Sequence, residues 1–404
     1  MQSDIPAPTV RALRVLSLAY FVQATGALSL VGALDAVSRE WGLTDAGSAY
    51  LISVFGIVFA LAAPLLQVFL GHLRRRRQVL LGLGVFSAAA LLFAAAPDYP
   101  TLLLARVLMG LGAAFIGPVL GALGSSLVAR EQQGPAIATV LLGLSIAGLV
   151  GMPAAAWVAH ALGVRLLFVL VGAAGLLCAC LILRAVPDAG PGERIQLATV
   201  GRLLRDPQSL SGFLVAFFIA AGVYATYGFL APIIRDVYLA GPETVSLALA
   251  VLGVAGVLGN LFVTRMARRH SAEAMLHAGI AVLALSLGLM RLAPPVLAML
   301  FAMLAVFAFA TDMLWPSQQR RIIERHPEQR GIALALTSSF VFCGIGAGTA
   351  VGAWVYPHAG HTGVLLGSLG LLALAVFCLR FSMRSRGADR RCAGSVAPGC
   401  GSAC

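Results

Sequence analysis

TLLLARVLMGLGAAFIGPVLGALGSSLV, residues 101–128, carries one charge in 28 residues, Arg106. A helix needs about 20 apolar residues to cross the hydrocarbon core of a bilayer, and this stretch exceeds that length. A guanidinium inside such a helix costs about 2.5–3.5 kcal/mol on insertion scales. Two placements make the charge tolerable. Either Arg106 faces a polar path or a partner within a helix bundle, or it sits near the helix end and snorkels to the headgroups. Gly110 lies one helical turn on, with Ala113 and Ala114 two turns on. That stripe of small residues lets a neighbouring helix pack closely.

The whole chain has the same character. Of 404 residues, 60% are hydrophobic and 11% charged, against about 25% charged in soluble domains. So little charge cannot cover the surface of a water-soluble fold of this length. Hydropathy instead gives twelve spans, near 15–36, 49–71, 79–96, 101–128, 136–160, 164–183, 209–233, 244–266, 275–292, 296–318, 331–356 and 363–382. The fold class is therefore an all-α membrane protein of twelve transmembrane helices. The 45 glycines suit helices packed backbone to backbone.

The net charge of +12 invites a nucleic-acid reading, but its distribution argues against one. All 28 basic residues are arginine, and they cluster in every second loop. With the N-terminus inside, 23 arginines fall on the cytoplasmic side and 4 (Arg39, Arg165, Arg235 and Arg291) on the other. That asymmetry predicts cytoplasmic N- and C-termini. The basic surface then faces anionic lipid, and the bilayer is the partner.

Residues 184–208 are rich in Pro, Gly and charge, and they divide the spans six and six. The expected organisation is a six-helix bundle over 1–183, a cytoplasmic linker over 184–208, a second bundle over 209–382 and a disordered cytoplasmic tail over 383–404. The halves echo each other. Ala156-Trp157-Val158 closes the fifth span and Ala353-Trp354-Val355 the eleventh. Pseudo-symmetric halves with a site between them at mid-membrane are a transporter architecture.

These residues resemble the major facilitator superfamily, in particular its bacterial drug and sugar (arabinose-type) efflux branch, over residues 12–382. Arg106, Gly110 and Gly112 fit the family's R-x-x-x-G-x-G pattern in the fourth span. GLSIAGLVGMPAAAW, from Gly143 to Trp157, is similar to the antiporter signature, with Gly148, Gly151 and Pro153 at its Gly/Pro positions. WPSQQ from Trp315 resembles the P-x-x-Q closing the tenth span, and GNLFVTRMARR from Gly259 resembles the family's repeated loop motif. That motif typically reads G-x-x-x-D-R-x-G-R-R. Here the second-to-third loop keeps the basic run, with Arg75, Arg76 and Arg77, but lacks the acid, and Thr264 stands at the acidic position of the second copy. In the family the Asp helps to latch the halves. A lock in this chain therefore needs other contacts, such as arginines on helix C-terminal carbonyls.

A solute path needs polar groups inside the bundle. Asp312, Trp315 and Gln319 share a helix face at i, i+3 and i+7. They offer a carboxyl, an aromatic ring and an amide to an amphiphilic or polyhydroxyl solute. In the competing placement, Asp312 lies at the cytoplasmic interface and pairs with Arg320 or Arg321. Tyr20 and Gln23 in the first span, and Tyr224 and Tyr227 in the seventh, are further candidates to line the path. Asp35, followed by Arg39 and Glu40, reads as an interfacial salt bridge. A chain without lysine has no G-x-x-x-x-G-K-[ST] loop, and no H-E-x-x-H or G-x-S-x-G occurs. The expectation is a secondary transporter of the bacterial inner membrane, not an enzyme, with no cofactor and no metal. It would move a small organic solute outward as a monomer in exchange for protons, because a buried carboxyl can load a proton near neutral pH. The alternative is a non-transporting sensor or scaffold of the same fold.

Overall fold

The computed structural model describes residues 6–129, 132–188, 190, 197–267, 269–326 and 329–394. These residues are helical almost throughout. The first half holds α1 (Ala7–Trp41), α2 (Asp45–Leu70), α3 (Arg75–Ala95), α4 (Tyr99–Ser125), α5 (Gln133–Ala161) and α6 (Val164–Ala185). A short linker helix, Leu197–Arg205, leads into the second half. There α7 (Pro207–Tyr238), α8 (Pro242–Met266), α9 (Ala272–Leu292) and α10 (Leu297–Arg325) follow. The last helical run, Arg330–Gly394, is broken at Gly360 (φ 56°, ψ −159°). It supplies α11 (330–359) and α12 (361–394), which makes twelve long helices among the described residues. The final helix continues to Gly394, well past the expected span end at 382. Residues 395–404, with Cys400 and Cys404, lie outside the described residues.

Helix starts are set by short polar side chains that satisfy free backbone N–H groups. Asp98 accepts from the Thr101 amide at 3.0 Å, Asp206 from Ser209 at 2.8 Å, and Ser271 from Ala274 at 3.2 Å. Each such cap contributes about 1 kcal/mol. We call the end of the bundle near Trp41, Ala96 and Arg165 distal, and the end near Arg74, Leu183 and Arg320 proximal. Distally, Trp41 Nε1 donates to the Ala96 carbonyl, Tyr99 Oη donates to that of Gly47, and Arg165 pairs with Glu40. Large apolar side chains such as Leu61, Phe69, Leu177 and Phe377 face outward, as lipid contact requires.

The internal repeat shows in burial as well as sequence. Ala156 and Ala353 are buried, and the tryptophans beside them, Trp157 and Trp354, are 55% and 68% exposed. Two of the helix pairs at which the halves meet are related to each other. In one, α2 meets α11: a Cβ on Gly56 would lie 2.7 Å from the Phe342 carbonyl, and the Phe59 and Phe342 rings stand 3.8 Å apart. In the other, α5 meets α8: a Cβ on Gly253 would lie 2.7 Å from Leu149 Cα. A second helix meeting a fifth, twice, is what a two-fold relation between the halves produces.

Candidate functional site

Arg106 is fully buried. Its Nε donates to the Leu51 carbonyl of α2 at 3.0 Å, and one terminal nitrogen donates to the Ala27 carbonyl of α1 at 2.9 Å. The other reaches the Gly26 carbonyl at 3.5 Å, and the guanidinium lies 4.6 Å from the centre of the Phe55 ring. The side chain therefore ties α4 to α1 and α2 rather than snorkelling to the headgroups. Gly110 and Gly112 let α4 come close enough for this. A Cβ on Gly110 would meet the Phe55 carbonyl at 3.0 Å, and one on Gly112 the Phe86 amide nitrogen at 2.6 Å.

Asp312 lies on α10, and its carboxylate fills the notch left by Gly256 on α8. It is close enough for its charge to reach both Tyr224 and Tyr227 of α7. Those two rings make an edge-to-face pair with centroids 5.4 Å apart. Tyr227 Oη points across the seam between the halves to the Met152 sulfur of α5, at 3.6 Å. Among the described residues Asp312 makes no ion pair. The two arginines that the sequence offers it are engaged elsewhere, Arg320 with Glu324 and Arg321 with Glu273 and Ser382. Trp315 is partly buried against the core, whereas Gln319 is exposed. Its neighbour Gln318 is the buried amide and donates to the Gly212 carbonyl of α7 at 2.8 Å. On α1, Tyr20 packs against the core and Gln23 is buried.

The antiporter-like helix α5 is not regular. Residues Ala147–Gly151 form a π turn, directly ahead of Pro153. The proline lacks an N–H, and the wider turn accommodates the hydrogen bond it cannot donate. A Cβ on Gly151 would fall 2.2 Å from Thr25 Oγ1, and one on Gly143 only 1.9 Å from the Ser17 carbonyl oxygen. Gly148 has open space at its own Cβ position. Its carbonyl is instead the surface that Gly253 of α8 approaches.

At the proximal end the basic run finds other partners in place of the missing acid. Arg74 pairs with Asp188 of the linker, and Arg76 donates to the Leu183 carbonyl at the end of α6, at 2.5 Å. The Arg75 amide donates to the Gly190 carbonyl, and Arg77 is exposed. In the second half Arg320 donates to the Ala267 and His270 carbonyls at the end of α8. The arginine–carbonyl contacts are thus present, but each lies within one half or between that half and the linker.

The distal end holds the residues that sequence reasoning missed. Arg235 of α7 donates to Asp35 of α1 at 2.8 Å and to Asp45 of α2 at 2.8 Å. It also bonds Asp236 beside it, and Asp236 accepts from Tyr356 of α11 at 2.6 Å. Asp35 is therefore paired across the halves, not with Arg39. An arginine on the side where arginine is rare, with two aspartates also on that side, was the available signal.

Two six-helix halves joined by a linker and meeting along symmetric helix pairs define a membrane transporter. The Major Facilitator Superfamily pattern matches residues 16–239 and 212–396, and the chain belongs to that family. It is 27% identical to the inner membrane transport protein YdhP of Escherichia coli O157:H7, over 89% of this chain and 94% of that one. It is also 27% identical to a probable sugar efflux transporter of Helicobacter pylori strain G27, over 91% and 94%. Among solved structures it is similar to a bacterial homologue of the human lysosomal transporter Spinster in an inward-facing, unoccupied conformation. That match has a TM-score of 0.73 at 17% identity, covering 94% of this chain and 97% of that one. The human organic anion transporter MFSD10 matches with a TM-score of 0.68 at 17% identity, over 93% and 100%.

Proposed function

We propose that this chain is a proton-coupled efflux antiporter that carries a small organic solute out of a bacterial cell by alternating access. The observation that carries the reading is Asp312. It is a carboxylate within a membrane helix, without an ion-pair partner among the described residues, grouped with Tyr224 and Tyr227 where α7 reaches across to α5. A carboxyl in that setting exchanges its charge with a proton more readily than one locked to arginine. Two tyrosines and Trp315 offer ring faces and hydroxyls to a sugar or an aromatic drug. Two relatives, a probable sugar efflux transporter and an inner membrane transport protein, support the direction and the membrane. The arginine bias makes the proximal end, with both termini and the linker, cytoplasmic. Closure at the distal end then makes this an inward-facing arrangement, and the protein works as a monomer.

Purified protein in proteoliposomes tests this. Labelled arabinose and ethidium serve as probes, each with and without an imposed pH gradient. Movement of either probe against its gradient, driven by protons and abolished by a protonophore, is the expected result. Movement that ignores the pH gradient would remove proton coupling.

A further inference from the structure

We infer that Arg235 is the cation that holds the distal end shut, and that its removal converts attraction between the halves into repulsion. The inference rests on the alternating-access reading. Arg235 is the hub of three carboxylates, and Tyr356 braces one of them. Asp35 and Asp45 belong to the first half, and Asp236 and Tyr356 to the second. The second half builds the post: Tyr356 stacks on Phe229 with centroids 5.1 Å apart and donates to Asp236. Asp236 in turn takes the Arg235 guanidinium at 2.6 and 3.0 Å. The first half builds the catch. Ser38 of α1 donates to Asp45 at 3.4 Å, and Ser38 and Ser48 lie 2.9 Å apart, so the α1–α2 corner is itself tied. The planar fork of arginine spans both catch carboxylates at once, which one ammonium would do less well.

The charge count gives the device its sign. One guanidinium serves three carboxylates, one of them, Asp35, with its side chain only 8% exposed. Without Arg235, Asp35 and Asp45 would face Asp236 across the seam as like charges. Neutralising Asp35 and Asp45 instead removes the attraction and creates no repulsion. The two lesions therefore differ in degree.

Spin-label distances test this without reference to any solute. Labels at Pro97→Cys, in the loop before α4, and Pro295→Cys, in the loop before α10, report the distal gap in a background with the native cysteines replaced. In nanodiscs the wild type should show a short-distance population. R235Q should raise the long-distance population by up to about fivefold for each partly exposed ion pair lost. D35N/D45N should raise it less than R235Q, and R235K, which keeps the charge but not the fork, should fall between wild type and R235Q. Helical content by far-UV circular dichroism confirms that each variant is folded. An unchanged distance distribution in folded R235Q overturns the proposal. So does an R235K variant as open as R235Q, or a D35N/D45N variant more open than R235Q. Failure of proton-driven probe movement in the wild type would count against the antiporter reading and leave the distances to decide the latch.

Discussion

The Oδ2 atom of Asp312 occupies the place where a side chain on Gly256 would begin: a Cβ there would lie 2.0 Å from it. The glycine on α8 and the carboxylate on α10 thus form one unit, and the position of the acid depends on the absence of a methyl group. We expect G256A to push the carboxylate out of its notch and lower proton-driven probe efflux about tenfold or more, with the protein still inserted. D312N keeps the shape without a releasable proton. It should abolish efflux driven by the pH gradient while exchange between two probe-loaded sides persists. Equal loss of both modes in D312N would mean that Asp312 is structural.

Arg106 ties three helices through backbone carbonyls. Hydrogen bonds from a charged donor contribute about 1.5–3 kcal/mol each. R106A should therefore lower the unfolding temperature in detergent and abolish efflux, without preventing membrane insertion. R106K should recover little, because an ammonium cannot span carbonyls on α1 and α2 as a fork does. Wild-type efflux by R106A would show the tie to be dispensable.

The glycines of α5 and α8 are not equivalent. G143A drives a methyl into the Ser17 carbonyl and G253A drives one into the Leu149 backbone, whereas G148A meets nothing within 4 Å. Overpacking of this kind costs about 1–3 kcal/mol. Turnover should fall in G143A and G253A and hold in G148A. A G148A variant as impaired as G253A would contradict this geometry.

The linker offers a pH test outside the bilayer. Arg74 beside Asp188 holds that carboxyl below the usual carboxylate range. A lowered native value means that the contact is fully present above the ordinary carboxylate value of about 3.9 and fades only as pH falls through the native one. Proteolytic cutting within 184–208 should therefore be unchanged between pH 7 and pH 5. It should rise at either pH in R74Q. Faster cutting of the wild type at pH 5 would assign linker docking to another group.

Topology is open to direct labelling. Reporter fusions after Arg77 and Gln208 should both read cytoplasmic. A signal from the opposite side at either position would reverse the orientation drawn from arginine bias.

The helices were legible because a bilayer leaves the chain few options, and apolar runs of the right length announce them. Their ends were less so. The sequence places the first span at 15–36, yet α1 runs Ala7–Trp41, because backbone hydrogen bonding continues past the apolar run at both ends. A loop is expected over 357–362, whereas one glycine with positive φ makes the turn. At the site, Asp312 was legible as the acid within its span, but Gln319 was not separable from Gln318. On a helix a single position is a rotation of about 100°. The Arg235–Asp35 contact joins residues 200 positions apart. No periodicity reports such a pair.

The π turn in α5 has a consequence for how this helix can vary in length. A turn closed by i→i+5 bonds holds one residue more than its α-helical neighbour. The segment Met152–Ala161 thereby keeps the faces it would have in a regular helix without that residue, and Ala156 is seated against Gly32, where a glycine Cβ would be 2.7 Å from it. Removing one residue from 147–151 would remove that extra residue and leave a regular helix, with Ala156 still on its seat and Trp157 still turned to lipid. The regular segment that follows has no such slack. A one-residue deletion at 154–155 would swing everything beyond it by about 100° and take both residues off their faces. A change in the length of α5 should therefore be tolerated at 147–151 and not beyond it.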